Sequence, residues 1–159
     1  MTDPIAVVLN ETNGHKTLLF PGNKGPKSST WKQTKRMASE MNNNGFDVTF
    51  LPELKGETSA DSLIRKGDVY RIAEFKYCIT AKANTLAKDL EHGFEQANTI
   101  VLKLKNMDSG VFKETIDYLL RNKKPIGDLV LLNKYGKSLL INYKEIKTKS
   151  YIRKIKGFL

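Results

Sequence analysis

Residues 60–77 read ADSLIRKGDVYRIAEFKY, and this stretch sets the fold class. Lys66-Gly67 separates two β-rich arms, Asp61 to Ile64 and Val69 to Tyr77, which predicts an antiparallel hairpin. The longer arm alternates. Ala73, Phe75 and Tyr77 leave one face and Glu74 and Lys76 leave the other, side by side. Asp61 opens the shorter arm, and a tight hairpin brings it back to within a few Å of Glu74. A slip of one residue in register would turn Glu74 and Lys76 to the wrong side.

Upstream, Ile5 to Leu9 and Thr17 to Phe20 flank Asn13-Gly14 and predict a smaller hairpin, followed by a Pro- and Gly-containing loop over 21–26. A helix opens near Ser28 to Thr30, where hydroxyl residues offer caps. Trp31, Thr34, Ala38 and Met41 form its buried stripe, and Gly45 is its C′ residue. Phe46 to Leu51 reads as a strand stopped by Pro52. Downstream come a helix over 84–97, a strand over 99–104, a helix over 109–120 and strands over 129–132 and 138–141. A short closing helix is expected in the tail. The fold class is therefore α/β, a central mixed β-sheet flanked by helices. The whole chain, 1–159, reads as one domain, with 1–25 an N-terminal add-on and 144–159 a basic tail.

Composition narrows the function. The 159 residues are 40% hydrophobic, enough for a real core, so disordered and fibrous classes are excluded. Lysine and arginine number 27 against 17 acids, a net charge of +10. From Arg121 onward the only acids are Asp128 and Glu145, so the surplus is concentrated late in the chain. Such a surface attracts polyanions, with nucleic acid first and anionic membrane second. The single Cys78 excludes an internal disulfide and a cysteine-based zinc site, and it reads as a small buried hydrophobe. No apolar run is long enough for a membrane span, and the first residues lack the pattern of a signal peptide. The expected site of action is cytoplasmic.

The chemistry lies in Asp61, Glu74 and Lys76. Two neighbouring carboxylates make a hard oxygen site suited to Mg²⁺ or Mn²⁺, with Zn²⁺ a further candidate. Such an ion polarises a scissile phosphate and acidifies a bound water. A lysine alongside adds a point charge for the water or the phosphoryl oxygens. Together they suit phosphodiester hydrolysis. A charged pair two apart on a solvated strand is equally an ordinary surface feature, and the motif by itself leaves both readings open.

The segment from about Lys35 to Leu104 resembles the PD-(D/E)xK nuclease superfamily. It is most similar to the C-terminal nuclease toxin domains of contact-dependent growth inhibition proteins and their phage and mobile-element relatives. The resemblance rests on Asn44-Gly45-Phe46-Asp47-Val48, Leu51-Pro52-Glu53, Asp61-Ser62-Leu63-Ile64, Glu74-Phe75-Lys76, Gln96-Ala97-Asn98 and Ile100 to Leu104. It departs at Ala60, where the family usually has proline. It implies a restriction-endonuclease-like core, a nuclease acting on tRNA, other RNA or DNA, and a divalent metal. It further implies Asp61, Glu74 and Glu40 as metal ligands, Lys76 as the catalytic lysine, and Gln96 facing the cleft. An immunity protein as partner, and delivery into a target cell within a larger secreted toxin, come with the same resemblance.

Two alternatives stand beside this reading. Toxin RNases of the barnase, colicin and RelE type cut RNA without metal, and here they would draw on His15, His92, Lys76, Arg71, Thr80 and Tyr77. The other is a non-catalytic basic module that only binds nucleic acid. Glu53 is an alternative acid. Lys82, Lys88, Lys103 and Lys105 are candidates for a backbone-binding surface, as is the tail with its interleaved Tyr143, Tyr151 and Phe158. Trp31 reads as core.

Overall fold

The structure, a computed structural model, describes residues 6–20, 29–52 and 62–159. Its centre is an eight-stranded sheet in which the strands lie in chain order. They are β1 (Val7–Thr12), β2 (His15–Leu19), β3 (Asp47–Phe50), β4 (Ser62–Lys66), β5 (Val69–Cys78), β6 (Thr99–Leu104), β7 (Asp128–Leu132) and β8 (Ser138–Ile141). Pairs β2/β3, β5/β6 and β6/β7 are parallel, and the other neighbours are antiparallel. Each parallel pair is joined by a helix: α1 (Ser29–Asn43), α2 (Ala83–Gln96) and α3 (Ser109–Arg121) respectively. The expected mixed sheet flanked by helices is the fold observed.

The two faces of the sheet carry separate cores. On one, Met37, Ala38 and Met41 of α1 pack on Val48, Phe50, Ile64, Phe75 and Val101. Trp31 joins them, edge-on to Phe50 at 5.0 Å, and Phe50 is edge-on to Phe75 at 5.6 Å. Of the expected α1 stripe, Ala38 and Met41 are buried, Trp31 and Thr34 are half-buried, and Met37 joins them in the core. On the other face, Leu86 and Leu90 of α2 and Phe112, Ile116 and Leu119 of α3 cover Ile100, Leu102, Leu129 and Leu131. With helices on both sides, every residue of β6 is buried, as a central parallel strand requires.

Helix ends follow local chemistry. Gly45 adopts φ +87, and the bonds Gly45 N to Asn42 O and Phe46 N to Met41 O close α1 in a Schellman motif. Asp108 caps α3 through Val111 N at 2.8 Å. The tail forms two short helices rather than one, α4 (Tyr143–Thr148) and α5 (Tyr151–Ile155). A capping box between Asn142 and Glu145 opens α4. Ile146, Tyr151 and Ile155 pack into the α2/α3 core, so the tail closes that core.

The N-terminal hairpin is built into the main sheet through β2/β3. Asn42 fastens it: its Oδ1 accepts from Asn10 Nδ2 at 2.8 Å and Thr17 Oγ1 at 2.7 Å, and its Nδ2 donates to Phe46 O at 2.9 Å. Asn42 is wholly buried, so losing it strands polar partners without water. Asn42→Ala is expected to cost about 2 kcal/mol in urea unfolding, with the hairpin and the rest melting in one transition.

Tyr151 is buried and its hydroxyl has no hydrogen-bond partner among the described residues. Burial, with the nearby Asp117 carboxylate, pushes its phenol up to about 12. In the unfolded chain the phenol ionises near 10. The folded protein therefore keeps this contribution below pH 10 and loses it as pH rises towards 12, because the unfolded state gives up its proton first. Tyr151→Phe is expected to be as stable as the parent at pH 7 and to lose less stability between pH 10 and 12 in paired thermal melts.

Candidate active site

The alternation of β5 places Ala73, Phe75 and Tyr77 against the α1 core and turns Glu74, Lys76 and Cys78 towards α2. The register of β4 with β5, Ser62 opposite Ala73 and Ile64 opposite Arg71, is the one in which Glu74 and Lys76 share the second face. Helix α2 presents Asp89, Gly93 and Gln96 at i, i+4 and i+7, a single line along its surface. That line runs against β5.

Gly93 is the point of closest approach. A Cβ there would stand 2.5 Å from Ile100 Cδ1 and 3.6 Å from Lys76 Cε. Without a side chain the helix settles close enough for Gln96 to meet Glu74. With its amide nitrogen turned to the carboxylate, as the surrounding acceptors require, Gln96 donates to Glu74 Oε1 at 2.8 Å and Oε2 at 3.2 Å. Glu74 is 6% exposed, so this contact lies in a nearly dry environment. A turn earlier on α2, Asp89 feels the Lys76 charge. Burial raises its carboxyl above the ordinary range, and Lys76 and then His92 pull it partly back. The cluster is thus Glu74 met by Gln96, with Lys76 beside it and the Asp89 charge nearby.

Asp89 was not among the residues expected from sequence. Its signal was its spacing, one helical turn before Gly93 and two before Gln96. Cys78 continues the same face; burial pushes its thiol up and its Sγ contacts Thr80 O at 3.5 Å, which fits an inert packed side chain.

Other expected residues lie elsewhere. Asp61 and Glu53 fall outside the described residues. Glu40 does not join the cluster: it sits on the α1 side of the sheet, where its Oε2 accepts from Lys103 Nζ at 2.7 Å. Lys103 also donates to Asn133 O at 2.7 Å and is 7% exposed, so it is a buried tie and not part of a backbone-binding surface. Lys82, Lys88 and Lys105 are exposed.

The residues considered for a metal-free RNase do not converge. His15 is on β2 near Asp47, and His92 is solvent-facing beside Glu95. Arg71 is paired with Asp128, Tyr77 packs against the α1 core, and Thr80 is exposed after β5. In the tail, Tyr151 is core and Phe158 packs against it, which leaves Tyr143 as the exposed aromatic of the three. Lys154 is held by Glu145 at 2.6 Å, and the hydrogen bond it donates keeps the Glu145 carboxyl below its ordinary value.

A metal needs more donors than the described part of this face supplies. Glu74 brings a hard carboxylate suited to a cation of the Mg²⁺ type, while Gln96 turns its amide nitrogen, a donor, towards it. Among the described residues no group of three or more His, Cys, Asp or Glu comes together. No helix among the described residues is long and apolar enough to cross a membrane.

The fold is similar to that of a CdiA-CT/CdiI toxin and immunity complex from Burkholderia pseudomallei. The TM-score is 0.57 at 19% identity, and the match covers 79% of this chain and 98% of that one. At that identity the likeness concerns the fold alone. No family model and no curated protein matches the chain.

The Glu40–Lys103 pair generates its own test. The two side chains are 17% and 9% exposed. Removing one charge leaves the other buried without its partner, whereas an apolar pair of similar size avoids both desolvation costs. Lys103→Met is expected to cost about 3 kcal/mol in denaturant unfolding, and Glu40→Leu with Lys103→Met to recover most of it. A small loss in the single variant would mean that the pair is solvated and weak.

Proposed function

We propose that this chain is a toxin-type nuclease domain that hydrolyses phosphodiester bonds with a divalent metal, acting on tRNA or other RNA in preference to DNA. The observation that carries the reading is the placement of Glu74 and Lys76 side by side on β5, under a helix that meets them with Gln96 across Gly93. A surface strand pair would face water. Here Glu74 is buried and met by Gln96, and Lys76 is half-buried with the Asp89 charge nearby.

The residues divide the work. Glu74, with Asp61, would hold the ion. Ser62 pairs with Ala73, the residue before Glu74, and Asp61 immediately precedes Ser62 in sequence. The bound ion supplies charge neutralisation and a more acidic water. Gln96 fixes the orientation of the Glu74 carboxylate through both of its oxygens. Lys76 holds a phosphoryl oxygen or the attacking water by its ammonium. Asp89 adds a negative charge near that ammonium. The net charge of +10 supports a polyanionic substrate.

The fold likeness to a complex of a toxin with its immunity protein supports the toxin setting. An immunity partner with an acidic surface would complement this chain. Arg71 and the two histidines are dispersed, which weighs against a metal-free acid–base mechanism.

Plasmid DNA and total tRNA, each with Mg²⁺, Mn²⁺, Zn²⁺ or EDTA, are the substrates to test, with Glu74→Ala and Lys76→Ala alongside. Metal-dependent cutting that falls at least about 100-fold in both variants is the expected result. RNA cutting that persists in EDTA would reassign the chemistry to a metal-free RNase. Tight, salt-sensitive binding with no cutting would leave a nucleic-acid-binding module.

A further inference from the structure

Helix α2 ends at Gln96, level with Glu74, and among the described elements none covers the first half of β5 beyond it. On the same face as Glu74, Ile72 is 48% exposed and Tyr70 is 58% exposed. Across the hairpin, Leu63 is paired with Ile72 and Arg65 with Tyr70. The face therefore reads, towards Glu74, as an aromatic ring, an aliphatic patch and then the carboxylate. Large apolar side chains this exposed in a row on one strand face mark a surface that something covers.

The Arg65–Tyr70 pair says what. The guanidinium lies over the ring, 5.3 Å from its centroid, and Arg65 Nε donates to Gly67 O at 2.8 Å, which pins it there. Among the described residues no carboxylate lies within ion-pair distance of Arg65. A fixed guanidinium over a mostly exposed phenol offers two things together: a π-surface on which a base stacks and a free cation for the adjoining phosphate. From Tyr70 to Glu74 along the strand is roughly 13 Å, a span of a few nucleotides of an extended strand. The chain's net charge of +10 gives the matching sign.

A base can reach this platform only if it is unstacked from its neighbours. Duplexes hide the faces of their bases, whereas RNA loops and bulges splay them and are read by stacking on aromatic and arginine side chains. We propose that the open face of the β4/β5 hairpin binds an unpaired RNA segment, with one base stacked on Tyr70 beside Arg65 and the strand leading past Ile72 to Glu74 and Lys76. The proposal deepens the nuclease reading and rests on it for the direction of the strand. It assigns specificity for unpaired regions to the hairpin.

The test measures binding apart from cleavage. In EDTA, fluorescence anisotropy would follow a stem–loop RNA, a blunt RNA duplex, a single-stranded DNA of the loop sequence and a DNA duplex. A 2-aminopurine in the loop reports stacking. The expected result is preference for the stem–loop RNA, a Tyr70→Ala variant weakened about tenfold for it alone, and quenching that is lost in Tyr70→Ala and kept in Tyr70→Phe. Arg65→Ala should weaken binding and flatten its salt dependence. Circular dichroism melts of each variant confirm the fold, since Tyr70 and Arg65 are exposed. Equal binding of duplex and loop, equal Tyr70-dependent binding of single-stranded DNA, or an unchanged Tyr70→Ala would overturn the proposal. Loop binding through Tyr70 without any cleavage in metal would instead remove the nuclease reading and leave this surface standing.

Discussion

Everything in the molecule is hung on the two-residue period of β5. Ala73, Phe75 and Tyr77 lock the sheet to α1; Glu74 and Lys76, on the other face, have to be satisfied beneath α2. Burying Glu74 to 6% exposure without a partner would cost more than one ordinary contact returns. The close approach at Gly93 resolves this by lowering Gln96 onto the carboxylate. The position of α2 is thus a condition for tolerating charge inside the sheet as well as for packing.

The opposite face solves a similar problem by a different route. There Lys103 carries the buried charge, and it is neutralised by Glu40 and a backbone carbonyl. One face joins a carboxylate to a neutral amide and leaves a lysine beside it. The other joins a full ion pair. The chemical difference between the two faces follows from these choices of partner.

Much of this was legible in the chain. The β4/β5 hairpin, the split of Glu74 and Lys76 from Phe75, the α1 stripe and the role of Gly45 all follow from local periodicity and turn chemistry. What could not be read was which face of the sheet each helix covers, because a stripe shows that one side of a helix is buried and says nothing of the surface it meets. Glu40 falls on the face opposite Glu74 for that reason. Lys103 sits in an apolar strand whose burial depends on a helix over sixty residues away. Asp89 becomes visible only once the spacing of α2 is laid along β5. The aromatics of the tail read as a binding pattern since nothing local distinguishes a tyrosine in a core from one on a surface.

The junction at the end of α1 reaches far along the chain. Asn44 donates to Gly136 O at 2.8 Å and accepts from Ser138 N at 3.1 Å, partners 92 and 94 residues later. Glu40 waits on Lys103, and Lys103 on Asn133. During synthesis the first helix is complete long before the turn that receives its end exists. Contacts so distant in sequence are slow to form and leave the early half exposed meanwhile. The first face of the sheet therefore reaches its final electrostatic state only when the last hairpin leaves the ribosome, and a chain cut short of Gly136 would keep the α1 core but leave Asn44 without both of these partners.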